Sequence, residues 1–231
     1  MMLFKNKQGR LELKHAINER DCYLIRKNLQ HIMEYDPHAD QQGRYFIRSV
    51  YFDNFDQKVL TEKKEGYLKR DKYRVRLYNM DQSTLKLERK SKRNNVTKKD
   101  SAPLTAKEYQ SMQCGDIEWM KADNRPLVRD LYTEMKLHQL KTMTVVDYIR
   151  EVFIYPYGNV RITFDSQIKT SFRNTDIFNP NLPMVEALDP QLVILEVKYD
   201  QYLPDVIKKL LQVNDRSIAT YSKYHLSRMY G

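Results

Sequence analysis

Glycine is scarce in this chain, six residues in 231, and the scarcity excludes a familiar way of binding nucleotides. Neither GxxxxGK(S/T) nor GxGxxG occurs, so any phosphate bound here must be held by side chains and not by a backbone nest. Cysteine is scarcer still. Cys22 and Cys114 have no CxxC partner, and Cys22 falls on the apolar stripe of an expected helix, so both are read as structural and not as disulfide or thiolate-metal residues. The five histidines, at 15, 31, 38, 138 and 225, lack metal-ligand spacing, and there is no HExxH. No segment approaches the roughly 20 apolar residues that span a bilayer, and MMLFKNKQGRLELKH holds no apolar stretch of signal-peptide length. A soluble, cytoplasmic protein is expected. Linkers rich in Pro, Gly or Ser are also missing, so a single domain is expected over residues 1–231.

What the chain does carry is charge. Lys and Arg outnumber Asp and Glu by 40 to 30, and the net charge of +10 points to an anionic partner. Net charge alone leaves nucleic acid, an acidic membrane surface and phosphate-rich small molecules open. Placement must decide.

The placement alternates. A strand sends successive side chains to opposite faces, so odd and even numbers separate. Within 68–78, Arg70, Lys72, Arg74, Arg76 and Tyr78 share one face, with Tyr73, Val75 and Leu77 on the other. Within 84–92, Lys86, Glu88, Lys90 and Lys92 face one way and Leu85 and Leu87 the other. In 192–200, Glu196 and Lys198 lie opposite Val193, Leu195 and Val197. Further strands are expected at 10–15, 44–53, 145–155 and 159–168.

Helices have clear starts. Asn18 caps one running to about Glu34, with Cys22, Ile25, Leu29 and Ile32 as its stripe. Thr105 and Glu108 form a capping box for a second. A third is expected over 125–140 with Pro126 in its first turn, and a fourth after Leu203 with Val206, Ile207, Leu210 and Leu211 on one side. A fifth is expected over 218–229. The fold class is α+β, built on antiparallel pairing. A charged strand face is ordinarily solvated, but it also suits the inside of a closed barrel around a polyanion. Alternation leaves both open.

Read in order, the segments give RLELK at 10–14, RSVYFD at 48–53, KYRVR at 72–76 and LERK at 87–90. YIRE follows at 148–151, RITFD at 161–165, EVK at 196–198 and SKY at 222–224. This series resembles the VTC domain, the polyphosphate polymerase module within the CYTH-like triphosphate tunnel metalloenzyme superfamily, over nearly the whole chain. The resemblance implies an eight-stranded antiparallel β-tunnel in which basic residues hold phosphates and glutamates hold a divalent metal, Mn2+ or Mg2+. It assigns Arg74 and Arg76 as the paired phosphate-binding arginines. Lys14, Arg48, Lys72, Lys90, Arg150, Arg161, Lys198 and Lys223 are assigned as other tunnel-lining cations, with Lys98 or Lys99 as a further lysine. Ser222 is placed to contact a phosphate. Glu196 is the matched metal ligand, with Glu12 and Glu88 in similar Glu-x-Lys settings, and Arg74, Arg76, Lys223 and Glu196 are the implied catalytic set.

Chemistry agrees with such a mixture. Arginine offers a planar fork and lysine a movable point charge to phosphate oxygens, while hard divalent cations bridge carboxylates to phosphates. Phosphoryl transfer needs positioning and charge stabilisation without a protein nucleophile. Asp165 is read as an ion-pair partner for Arg161 in preference to a metal ligand, and the tyrosines, 17 in all, as packing residues. One departure stands out: Arg10 occupies the first Glu position of the Glu-x-Glu-x-Lys that begins many CYTH triphosphatases. It shifts the expectation from triphosphate hydrolysis to a longer polyanion. The expected activity is transfer of the terminal phosphate of ATP to polyphosphate, the alternatives being a triphosphate hydrolase and a non-catalytic polyphosphate- or RNA-binding module. RNA is disfavoured because no RNP1-like aromatic motif is present. The chain carries no accessory phosphate-sensing or membrane domain, so a separate membrane partner is expected.

Overall fold

A computed structural model describes residues 11–94, 96–172, 174–212, 217–218 and 222–228; Arg10 lies outside them. In chain order the elements are β1 (Leu11–Asn18), α1 (Glu19–Leu29), β2 (Glu34–Tyr35), β3 (Arg44–Asp53), α2 (Lys58–Lys64), β4 (Lys69–Tyr78), β5 (Asp81–Arg93) and β6 (Val96–Pro103). Then come α3 (Ala106–Gln113), α4 (Pro126–His138), β7 (Lys141–Tyr155), β8 (Val160–Thr170), β9 (Val185–Glu186), β10 (Leu192–Tyr199), α5 (Asp205–Leu210), β11 (Ser217–Ile218) and α6 (Lys223–Ser227). The fold is α+β. Among the described residues eight strands are long, namely β1, β3 to β8 and β10, and their pairings are antiparallel. No helix among the described residues is long and apolar enough to cross a membrane.

Local chemistry explains most boundaries. Asn18 accepts the Asp21 N–H at 2.8 Å and starts α1, and Thr105 with Glu108 closes the capping box of α3. Helix α1 stops at Leu29, short of Glu34, because the chain turns to pair Tyr35 with Phe153 of β7, their rings 4.8 Å apart. Gly43 faces that ring: its φ is +73°, and a Cβ there would stand 2.0 Å from the ring, so only glycine fits. The helix expected over 218–229 is shorter. Ile218 pairs with β1, and α6 spans only Lys223–Ser227 behind its Ser222 cap. Strand β6 and helix α2 were not anticipated. Cys22 is buried as expected, whereas Cys114 is exposed at the end of α3.

The described residues pack as two compact units, one drawn from Met1–Tyr45, Ile149–Gln167 and Leu188–Tyr221, the other from Phe46–Tyr148, Ile168–Ala187 and Ser222–Gly231. In the first, β11, β1, β10 and β8 lie side by side. Lys14 is directly opposite Glu196, and Glu196 opposite Thr163, and opposed residues share a face. One face therefore carries Glu12, Lys14, Glu196, Lys198, Arg161, Thr163 and Asp165. The other presents Ile17, Val193, Leu195, Val197, Ile162 and Phe164, which are buried with Cys22, Ile25 and Leu29 of α1 and Ile207 of α5.

In the second unit the order is β3, β4, β5, β6. A two-residue turn at Asn79 and Met80, both with φ near +55°, joins β4 to β5 (φ 50° and 58°) and sets their register. That register sends Val50, Phe52, Tyr73, Val75, Leu77, Leu85, Leu87 and Ala102 to one face, all buried, where α4 packs on β5 and β6 with Val128 and Leu131. The opposite face receives Ser49, Tyr51, Arg74, Arg76, Glu88, Lys90 and Lys99.

Candidate functional site

On the charged face of the second unit the register produces rows. Lys72, Lys90 and Lys99 stand abreast across β4, β5 and β6. One step along, Tyr51, Arg74, Glu88 and Ser101 form the next row, followed by Ser49, Arg76 and Lys86. Arg76 and Glu88 are each only 3% exposed, so the deep part of this face is not a solvated sheet surface.

The arginines are held in place. Arg74 donates to Glu88 through Nε at 2.7 Å and Nη2 at 2.6 Å, and through Nη1 to the Tyr51 hydroxyl at 3.3 Å. Arg76 donates to Ser49 Oγ at 3.0 Å and to the Tyr148 hydroxyl at 2.7 Å. Burial opposes ionisation of Tyr51, but Arg74 and Arg76 outweigh it and lower its pKa. The Lys72 ammonium sits over the Tyr51 and Tyr224 rings at 5.7 and 5.4 Å and donates to Ser222 Oγ at 3.3 Å. Lys223 stands 4.4 Å from the centre of the Tyr148 ring. Ser222 also accepts the His225 N–H at 3.1 Å as the cap of α6, so it both orients Lys72 and starts the helix that carries Lys223.

The charged face of the first unit is balanced instead of cation-rich. Lys14 bridges Glu12 at 2.6 Å and Glu196 at 3.2 Å, and Lys198 reaches Glu196 at 3.1 Å. Arg150 grips Asp165 bidentately at 2.6 and 2.7 Å and approaches Glu196 to 3.7 Å. Arg161 pairs with Asp36 at 2.8 Å and with the Tyr45 hydroxyl at 2.9 Å. The partner of Asp165 is thus Arg150, not Arg161, because β8 presents Asp165 toward the neighbouring β7. Burial resists the charge on Glu196, but Lys14, a hydrogen bond with Glu12, Lys198 and Arg150 hold its pKa well below the usual carboxylate range. Burial lowers the pKa of Lys198 in spite of Glu196.

The VTC domain sequence pattern matches residues 9–229. The chain belongs to the VTC domain family. No curated protein matches the sequence. A candidate adenylate cyclase from Bacillus halodurans is 12% identical, with 83% of this chain and 80% of that one covered and a TM-score of 0.48. A Pyrococcus horikoshii protein is 14% identical over 87% and 85% of the two chains at a TM-score of 0.39. A conserved hypothetical protein from Pyrococcus furiosus is 10% identical over 87% and 86% at 0.37.

Two of the positions that the sequence resemblance assigned to phosphate binding fall away from the charged faces. Arg48 alternates with Val50 and Phe52, is buried, and gives Nε and Nη2 to Asp147 at 2.9 and 2.7 Å and Nη1 to the Asn179 carbonyl at 2.5 Å. Its donors are consumed by the protein, and its role is to tie β3 to β7. Lys98 lies opposite Ser91 on the helix-covered side and pairs with Asp100 at 2.9 Å. Lys99 is the lysine that reaches Glu88, at 2.5 Å.

The carboxylates also divide. Glu88 is surrounded by Arg74, Arg76 and Lys99, so in this VTC chain it acts as the counter-ion that aims two arginines and does not suit a metal. Glu12 and Glu196 share the Lys14 ammonium, and Glu196 is paired with Lys198 and Arg150 as well, so a hard cation at these two carboxylates would have to displace basic groups already in place. Among the described residues no three His, Cys, Asp or Glu side chains are grouped to hold a metal, so these two would need further oxygen ligands.

Glu88 sets an acid limb. Burial disfavours its charge, but Arg74, Arg76 and Lys99 prevail and pull its pKa from 4.5 to about 2. A depressed folded-state pKa stabilises above the unfolded value and is lost as pH falls toward the folded one, so the contribution fades between pH 4.5 and about 2. It is on the order of 3 kcal/mol. Denaturant titrations at pH 5, 4 and 3 should show a shallower decline for Glu88→Gln than for the parent; parallel declines would show that Glu88 is not the titrating group.

Proposed function

We propose that this chain is a metal-dependent phosphotransferase of the polyphosphate polymerase type, moving the terminal phosphate of ATP onto a polyphosphate chain. The row Lys72, Lys90 and Lys99 beside Arg74 and Arg76 carries this reading. Like charges directly opposed across strands destabilise a sheet, and here three lysines stand abreast, with Lys99 reaching Glu88 of the adjacent row. A linear polyanion laid across rows about 7 Å apart along the strands offsets that repulsion.

Each residue type has a part. Arg74 and Arg76, held by Glu88, Tyr51, Ser49 and Tyr148, present fixed guanidinium forks to phosphate oxygens. Lys72, Lys90, Lys99 and Lys223 add point charges that follow a moving chain of phosphates. In the first unit Lys14, Arg150, Arg161 and Lys198 are further basic groups beside the Glu12 and Glu196 carboxylates. When bound there, a divalent cation would polarise phosphoryl oxygens and neutralise developing charge.

Incubating the protein with ATP and Mn2+ and resolving the products by length tests the proposal. A ladder of phosphate chains is expected. Free phosphate or pyrophosphate alone would make the chain a triphosphate hydrolase. Triphosphate should also raise the melting temperature, since a ligand at a hundred times its Kd stabilises by about 2.7 kcal/mol. Stabilisation without any product would leave a binding module.

A further inference from the structure

Asp53 closes the RSVYFD segment of β3 and is fully buried. Its two oxygens serve different elements: Oδ1 accepts the N–H groups of Asn54 and Val59 at 2.8 and 2.9 Å, where the chain enters α2, and Oδ2 accepts the Tyr224 hydroxyl of α6 at 2.5 Å. A buried carboxylate is tolerated only with its donors in place, so this contact fixes α6 as much as it satisfies the acid. Helix α6 needs such fixing. At five residues it is far below the roughly 12–15 at which a helix begins to hold on its own. Burial and Asp53 push the Tyr224 pKa up, so its hydroxyl keeps the proton it donates.

What surrounds α6 shows why its seat matters. The Tyr224 ring lies 5.3 Å from the Tyr51 ring, and the Lys72 ammonium stands over the two at 5.4 and 5.7 Å. Ser222, the cap of α6, accepts a hydrogen bond from Lys72 at 3.3 Å, and Lys223, the next residue, stands 4.4 Å from the centre of the Tyr148 ring. Tyr51 and Tyr148 are the residues whose hydroxyls hold Arg74 and Arg76. One buried hydrogen bond, from Tyr224 to Asp53, thus lies behind the placement of both lysines.

We propose that Asp53 is a positioning residue for polyanion binding: through the Tyr224 hydroxyl it seats α6, which sets Lys223 and, with Ser222 and the Tyr224 ring, the ammonium of Lys72. This rests on the anion-binding reading above and extends it to a residue that brings no positive charge of its own. When α6 leaves its seat only the seated fraction binds with full affinity, so the apparent Kd rises as that fraction falls.

The test is a double-mutant cycle in the full chain, read by calorimetric titration with triphosphate in the absence of metal. Tyr224→Phe keeps the ring under Lys72 and removes only the hydroxyl. It should weaken triphosphate binding about tenfold in the parent, for a seated fraction of about one-tenth, and less than about twofold in Lys72→Ala, Lys223→Ala, where neither ammonium is left to place. A loss of the same size in both backgrounds is a general structural effect and overturns the inference, as does a folded Tyr224→Phe protein with parental affinity. If the Lys72→Ala, Lys223→Ala protein itself binds triphosphate like the parent, these lysines do not hold the anion, and the reading beneath the inference fails with it. Should Tyr224→Phe not fold, Asp53→Asn replaces it in the same cycle with the same three outcomes, since its one amide oxygen can still accept the Asn54 and Val59 N–H groups but leaves no second oxygen for Tyr224.

Discussion

Replacing Arg74 and Arg76 together with alanine should weaken triphosphate binding by at least a hundredfold and also destabilise the protein. Hydrogen bonds to charged groups contribute about 1.5–3 kcal/mol each, so two arginine forks lost from one polyanion amount to about two to four orders of magnitude in affinity. The stability loss has a separate origin. Repulsion along the strand suggests that deleting cations relieves strain, but Arg74 and Arg76 both serve Glu88, which is 3% exposed. Stripping partners from a buried carboxylate costs about 3–5 kcal/mol, reduced here because Lys99 stays 2.5 Å away. The two effects separate in the triple variant Arg74→Ala, Arg76→Ala, Glu88→Gln, which should recover stability without recovering affinity. Calorimetric titration with triphosphate and denaturant melts of all three proteins measure both. Parental affinity in the triple variant would show that this face does not bind the anion.

That revision shows how far the sequence carries. Alternation in β4 and β5 sorted Arg70 to Tyr78 and Lys86 to Lys92 correctly, because a strand with apolar residues at every second position has only one way to bury them. The same rule, applied to β3, would have placed Arg48 with Val50 and Phe52 on the apolar side, where it meets Asp147. The motif match obscured a signal that was legible. Lys98 against Lys99 was not legible: β6 reads VTKKDSAP, has no apolar alternation, and takes its facing from its register with β5.

The tyrosines show a different limit. Tyr51 and Tyr148 are buried, as packing residues should be, but their hydroxyls hold the two arginines. Burial and function are compatible in a side chain with an apolar body and a polar tip, so composition alone could not separate them. The pairing of Asp165 with Arg150 joins neighbouring strands β7 and β8, whereas the expected partner, Arg161, lies on the same strand as Asp165.

Glu196→Gln should separate binding from turnover more sharply than any other single change. The carboxylate lies among Lys14, Lys198 and Arg150 at 3.2, 3.1 and 3.7 Å. Glutamine keeps its size but gives up the charge, so the hold on a hard divalent cation weakens while the three basic groups face one anion fewer. Metal-free triphosphate should therefore bind as well as before or more tightly. Product formation from ATP at limiting Mn2+ should fall by at least a hundredfold, about 2.7 kcal/mol of transition-state stabilisation. Some stability should also be lost, because Lys14 and Lys198 lose a buried counter-ion and retain Glu12. A variant that folds, binds triphosphate and no longer turns over places the cation at Glu196. One that turns over normally at limiting Mn2+ removes Glu196 from the metal site and leaves it as the ion-pair partner of Lys14 and Lys198.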